Sequence, residues 1–178
     1  MARITGFNQL IDDRLRQLCL IPDLLPGRVI EVRSKPLRRS TRGFSSGREE
    51  VTEAHRLFVG LAHLDPLRLL ENYETGEFDP KQLSRLKRTF ATDEQRRQWA
   101  ILMATRLLGA IEAAAGESGM KSVWVSEGLD FAKMKELLAV PDDHLIIGLL
   151  AISGEVIEEE SPEFNSPLLD YDGFFGSL

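Results

Sequence analysis

The chain has 178 residues, of which 43% are apolar and 28% charged, and its formal net charge is −6 at pH 7. That composition is ordinary for a soluble globular protein and excludes a wholly disordered chain, a collagen-like repeat and a coiled-coil rod. The single cysteine, Cys19, excludes an intramolecular disulfide and a cysteine-based zinc site, and makes the reducing cytoplasm the default compartment. The longest apolar run, Leu145 to Ile152, counts eight residues including Gly148, against the roughly 20 a bilayer span requires. The opening stretch MARITGFNQLIDDR lacks the apolar core of a secretory signal.

In chain order, Phe7, Leu10, Ile11, Leu15 and Leu18 fall on one face of a helix ending near Leu20. Pro22 and Pro26-Gly27 break it. Residues 28–33, RVIEVR, alternate β-branched and charged side chains and predict a short strand. A basic loop follows over 33–48. Ser46 and Glu49 form a capping-box pattern that predicts a helix running to about His63. Asp65-Pro66 interrupts, a helical turn extends to about Tyr73, and Asp79-Pro80 opens a helix over 81–88.

Thr92 and Gln95 form a second capping box, which opens a helix from about Asp93 to Ala115. From Trp99 onward only Thr105, Arg106, Gly109 and Glu112 interrupt its apolar character. A helix apolar nearly all round needs cover on most faces, so it is either the central core helix or the seam of a homodimer. Residues 121–125, KSVWV, predict a strand. Asp130 caps a helix over 131–140 that Pro141 stops. The continuous apolar run HLIIGLLAIS, 144–153, predicts a strand buried on both faces. The expectation is thus a helix-rich α+β domain over 1–154, with a long buried central helix and a small sheet, followed by an acidic tail over 155–178.

Charge is unevenly placed. Arg33, Lys35, Arg38, Arg39, Arg42 and Arg48 crowd the basic segment without an acidic residue, whereas the chain after Glu155 carries no basic residue at all. The basic segment is a candidate site for an anionic ligand such as a phosphate. Nucleic acid is disfavoured as a partner, because only Phe44 is available there for base stacking.

The residues show no self-sufficient catalytic set. No Walker loop, dinucleotide-type glycine motif or nucleophile elbow occurs. His55, His63 and His144 lack zincin spacing, and His55 and His63 read as core-edge or exposed residues of one helix, so no metal site is expected. Chemistry here would need a cofactor to carry it.

Residues from about Trp99 to Glu155 resemble the C-terminal half of the FMN-dependent nitroreductase and flavin reductase family. The resemblance runs through Ala113 to Ala115, Gly119-Met120, Ser122-Val123-Trp124, Glu127-Gly128-Leu129-Asp130, Lys135 to Leu138, Pro141 and Ile147 to Ala151. Independently, Arg38-Arg39-Ser40-Thr41-Arg42-Gly43-Phe44 resembles the family's Arg-x-Ser-x-Arg-x-Phe motif. The place of the family's Ser-x-x-Asn-x-Gln-Pro-Trp segment reads Ala62-His63-Leu64-Asp65-Pro66-Leu67-Arg68 instead. The resemblance implies FMN as cofactor, with Arg38, Arg39, Ser40 and Arg42 on its phosphate and ring edge. Glu127 and Gly128 would form the turn whose backbone faces the flavin. It also implies an intertwined homodimer and hydride transfer from NAD(P)H to nitroaromatics, quinones or flavin. The alternative is a non-enzymatic helical assembly or regulatory protein, such as one of phage or viral origin, that binds an anionic or protein partner.

Overall fold

The apolar segments RLFVGLAH and HLIIGLLAIS are the two central strands of the sheet. The computed structural model describes residues 7, 10, 11, 13, 14, 27–45, 49–64 and 80–154. Four strands, β1 (Gly27–Glu31), β2 (Arg56–His63), β3 (Lys121–Val125) and β4 (His144–Ser153), form one antiparallel sheet in the order β1-β2-β4-β3. Among the described residues, the helices with defined bounds are α1 (Lys35–Phe44), α2 (Glu49–Glu53), α3 (Pro80–Thr89), α4 (Asp93–Glu117) and α5 (Phe131–Leu137), and residues 7, 10, 11, 13 and 14 are also helical. The class is helix-rich α+β, as the sequence predicts.

Helical layers cover both faces of the sheet, which explains why β2 and β4 lack a polar face. On one side Phe58, Leu150 and Ile152 meet Leu107, Leu108, Ile111, Ala114 and Ala115 of α4, together with Phe7 and Ile11. On the other, Leu57, Val59, Leu61, Leu149 and Ala151 meet Val51 of α2 and Met134 and Leu138 at α5, with Leu37 and Phe44 of α1 alongside. Each fully buried Leu, Ile or Phe contributes roughly 1.5–3 kcal/mol relative to exposure, so these two layers dominate the stability. Between β1 and β2, the Arg56 guanidinium pairs with the Glu31 carboxylate at 2.5 and 3.0 Å. It also lies 5.1 Å from the Phe7 ring centre and 5.0 Å from that of Phe58.

α4 starts where its capping box places it. The Thr92 hydroxyl accepts from the Gln95 N–H at 3.2 Å, and the Gln95 side chain accepts from the Thr92 N–H at 3.1 Å. Length and composition alone would let α4 cross a bilayer, which counting unbroken apolar runs does not register. Here Ala100, Ala104, Leu107, Leu108, Ile111, Ala114 and Ala115 are buried against the sheet, as in a core helix. Gly27 lets α4 approach β1 closely, since a Cβ there would sit 2.3 Å from the Ala104 backbone nitrogen.

Two expectations fail. Residues 56–63 form strand β2 rather than the end of a helix, and only Glu49–Glu53 is helical before them. RLFVGLAH is apolar at nearly every position, so helical periodicity has no polar face to register, and cover from both sides suits a strand. The basic segment is also not a loop: Lys35–Phe44 is helix α1. Ser34 supplies its cap, with the Leu37 N–H 3.5 Å from the Ser34 hydroxyl, and Pro36 sits in the first turn, where its missing N–H costs nothing. Leu37, Thr41 and Phe44 then share the inward face at helical spacing. α5 ends at Leu137, and Ala139 takes a left-handed turn (φ 49°) before Pro141. Leu15 to Leu20, Ser46, residues 65–79 and the acidic tail lie outside the described residues.

Candidate functional site

The fold brings the two family-like motifs together. The Asp130 N–H donates to the Phe44 carbonyl at 2.7 Å, which joins the end of α1 to the start of α5. The Lys133 ammonium stands 6.0 Å from the Phe44 ring centre and pairs with the Asp130 carboxylate at 3.0 Å. Asp130 caps α5 by accepting from the Lys133 N–H at 3.2 Å. The Lys133 side-chain hydrogen bond, seconded by that backbone N–H, holds the Asp130 carboxyl below its ordinary value. Just before this cap Ser126, Glu127 and Gly128 are exposed, and Gly128 has a φ of 69°, a conformation glycine adopts without steric cost.

The basic residues divide by what they already hold. The Arg38 guanidinium donates to the carbonyls of Val32 and Arg33, at 3.2 and 2.8 Å, where the chain leaves β1. The Ser40 hydroxyl donates to the Pro36 carbonyl at 3.1 Å, one turn back in α1. Two of the four residues expected at the phosphate and ring edge, Arg38 and Ser40, thus have backbone partners. Arg39 is exposed and has no polar partner among the described residues. Arg42 lies in α1, Arg33 pairs with Glu31 at 3.2 Å, and Arg48 lies outside the described residues. An open depression of about 480 Å³ lined by Glu49, Glu50, Glu53, His55 and Ser153 is acidic and ill suited to a phosphate.

The structure also assembles a cluster that reading His55 and His63 on one helix had missed. His63 and His144 are direct partners across β2 and β4, with ring centres 4.6 Å apart at 73°. Asp143 lies between them, its oxygens 2.7 Å from His144 Nδ1 and 3.4 Å from His63 Nε2. Both imidazoles are buried, whereas the Asp143 side chain is 46% exposed. Burial pushes the His144 imidazole below its ordinary value, with Arg28 and Lys135 acting in the same sense, against the opposing pull of Asp143. Partial burial raises the Asp143 carboxyl, but the His144 hydrogen bond and the nearby imidazoles outweigh it and leave the carboxyl lowered. The cluster thus sets a lowered carboxyl beside a His144 ring whose burial favours the neutral form.

A four-stranded antiparallel sheet lies under a long helix, with a second helical layer on its opposite face. No family model matches the chain. Over 155 residues it is 30% identical to a Thermus thermophilus protein named NADH dehydrogenase, a match covering 82% of this chain and 74% of that one. A Bacillus subtilis protein described as a nitroreductase superposes with a TM-score of 0.65 at 15% identity, over 90% of this chain and 83% of that one. A Staphylococcus epidermidis protein described as an NAD(P)H:FMN oxidoreductase superposes with a TM-score of 0.59 at 11% identity, over 91% and 92%. The chain belongs to the nitroreductase and flavin reductase family of oxidoreductases.

Proposed function

We propose that this chain is an FMN-dependent oxidoreductase that takes hydride from NAD(P)H and reduces a nitroaromatic, quinone or flavin acceptor. The observation that carries the reading is the junction of the Phe44 carbonyl with the Asp130 N–H, which sets the basic helix beside the 126–128 turn. Bound FMN would supply the two-electron chemistry for which the chain has no catalytic side-chain set.

The residues fit that cofactor in part. The exposed Glu127-Gly128 turn would present backbone to a ring edge, and the exposed Arg39, more than a turn before Phe44 on α1 and without a polar partner among the described residues, would present its guanidinium to a phosphate. Arg38 and Ser40 do not fit as preformed ligands, because binding would have to displace their carbonyl partners. Arg38 instead positions the helix that carries Arg39.

A homodimer belongs to the same proposal. α4 turns its apolar character outward as well as inward. Leu102 is 54% exposed, and a Cβ at Gly109 or Gly116 would meet nothing within 4 Å, which leaves room for a second backbone. The engagement of Arg38 and Ser40 favours a second reading, in which the fold keeps its dimer and has lost the flavin.

The test is a visible absorption spectrum after loading with FMN and desalting, with sedimentation of the same preparation. Near-stoichiometric retained flavin on a dimer is expected, and Arg39→Ala should weaken retention at least tenfold while leaving the far-UV circular dichroism unchanged. A colourless dimer would select the second reading. Flavin retained undiminished by Arg39→Ala would remove the phosphate assignment.

A further inference from the structure

We infer that His63, Asp143 and His144 form a binding site for a divalent transition-metal ion, with zinc the best match. The donor set is two imidazoles and one carboxylate, a combination that zinc takes readily and that hard cations such as magnesium do not prefer. The three residues can each offer one donor atom such that all three atoms lie within 4.8 Å of one another, and they form such a group among the described residues. Tetrahedral zinc with bonds near 2.0–2.1 Å separates its ligand atoms by roughly 3.3 Å. The 3.4 Å between His63 Nε2 and Asp143 Oδ2 matches that spacing for one carboxylate oxygen. His144 Nδ1 contacts the other oxygen, Oδ1, at 2.7 Å, a hydrogen bond that a metal held on Oδ2 and His144 Nδ1 would replace.

Preorganisation comes from the sheet. His63 and His144 close the β2–β4 ladder as directly opposed residues, and the Leu64 N–H donates to the Asp143 carbonyl at 2.7 Å, fixing the backbone on both sides. Two donors therefore sit on the rigid central strands, and the third precedes β4 by one residue. Burial favours the neutral form of the His144 ring, the form that ligates, and the exposure of Asp143 gives the ion a route in. On binding, the proton that His144 Nδ1 donates to Asp143 leaves this nitrogen for solvent or for Nε2. Lys135 acts on the cluster as a like charge, and Asp142 offsets it by pairing with its ammonium at 3.5 Å; Arg28 is the other cation acting on His144.

Three protein ligands leave a fourth position for water. The site would join the ends of two strands on the sheet, and its occupancy does not depend on flavin. The experiment uses the full chain stripped with chelator and titrated with zinc alone against a chromophoric competitor, then with cobalt to read the absorption of a tetrahedral site. One equivalent of zinc per chain is expected, with tetrahedral cobalt bands between about 550 and 650 nm. Asp143→Asn should weaken zinc at least tenfold with unchanged circular dichroism, and His55→Gln should not. In the unaltered protein, ring resonances of His63 and His144 should shift with zinc while those of His55 stay, and this holds even if the asparagine variant fails to fold. Absence of stoichiometric zinc, or zinc that perturbs His55 in place of His63 and His144, overturns the assignment and leaves the cluster as a hydrogen-bonded strand end.

Discussion

Replacing Gly27 by alanine tests how α4 is seated on the sheet. The added Cβ would lie 2.3 Å from the Ala104 nitrogen and 2.7 Å from both the Ala104 Cα and the Met103 carbonyl carbon. Contacts between carbon atoms are relaxed at about 3.5–4.0 Å, so strand and helix must part by roughly an ångström. The opposing atoms are backbone of a long helix packed over several strands, so no side chain can rotate away. β1 is an edge strand paired only with β2, and it is the element free to yield. Overpacking of this kind costs about 1–3 kcal/mol, and the lower chain entropy of alanine returns a few tenths to 1 kcal/mol. A net loss of about 2 kcal/mol lowers Tm by roughly 4–8 °C in a chain of this size. The assay is thermal and urea unfolding followed by circular dichroism, with Gly43→Ala as the control. A Cβ at Gly43, in α1, meets nothing within 4 Å, so that change should be neutral or stabilising by up to about 1 kcal/mol. A Gly27→Ala protein as stable as the parent would refute the close approach of helix and strand.

Two further outcomes follow from the caps. Thr92→Ala removes the acceptor of the α4 capping box and should cost about 1 kcal/mol in urea unfolding, whereas Thr92→Ser should cost much less; equal losses would mean that the hydroxyl is not the cap. The Asp130 carboxyl is held below its ordinary value of 3.8, so its support for α5 is complete above that value and is lost as pH falls through the lower folded-state value. The Lys133 amide resonance should therefore titrate with a midpoint below 3.8, and a midpoint at or above it would contradict the pairing.

Elements with a local signature were legible in the sequence. The α4 start, the Asp130 cap and the strands at 121–125 and 144–153 each carry a cap or an unbroken apolar run, and each appears where it was expected. β2 was not legible, because a continuous apolar run carries no period and the preceding Ser46-Glu49 pattern suggested a longer helix. α1 was missed for the opposite reason: a high density of arginines resembles a loop unless Ser34, Pro36 and the spacing of Leu37, Thr41 and Phe44 are weighed together. The family resemblance survived these errors because it rested mainly on the segment after Trp99, where local signals and fold agree.

The misreading of β2 also hid the histidine cluster. Once 56–63 is a strand antiparallel to 144–153, the histidine that ends one apolar run faces the histidine that begins the other, and Asp143 falls beside both. The pairing is a consequence of register, which no local pattern reveals. The same logic divides the arginines. The family resemblance groups Arg38, Arg39, Ser40 and Arg42 as a phosphate and ring-edge motif, but a helix beginning at Lys35 sends the first three side chains different ways. Arg38 reaches back to the end of β1, Ser40 bonds to its own helix, and Arg39 is left to solvent. A helix thus converts three adjacent ligands into one candidate ligand and two supports, so the Arg39→Ala variant bears more directly on flavin binding than changes at Arg38 or Ser40.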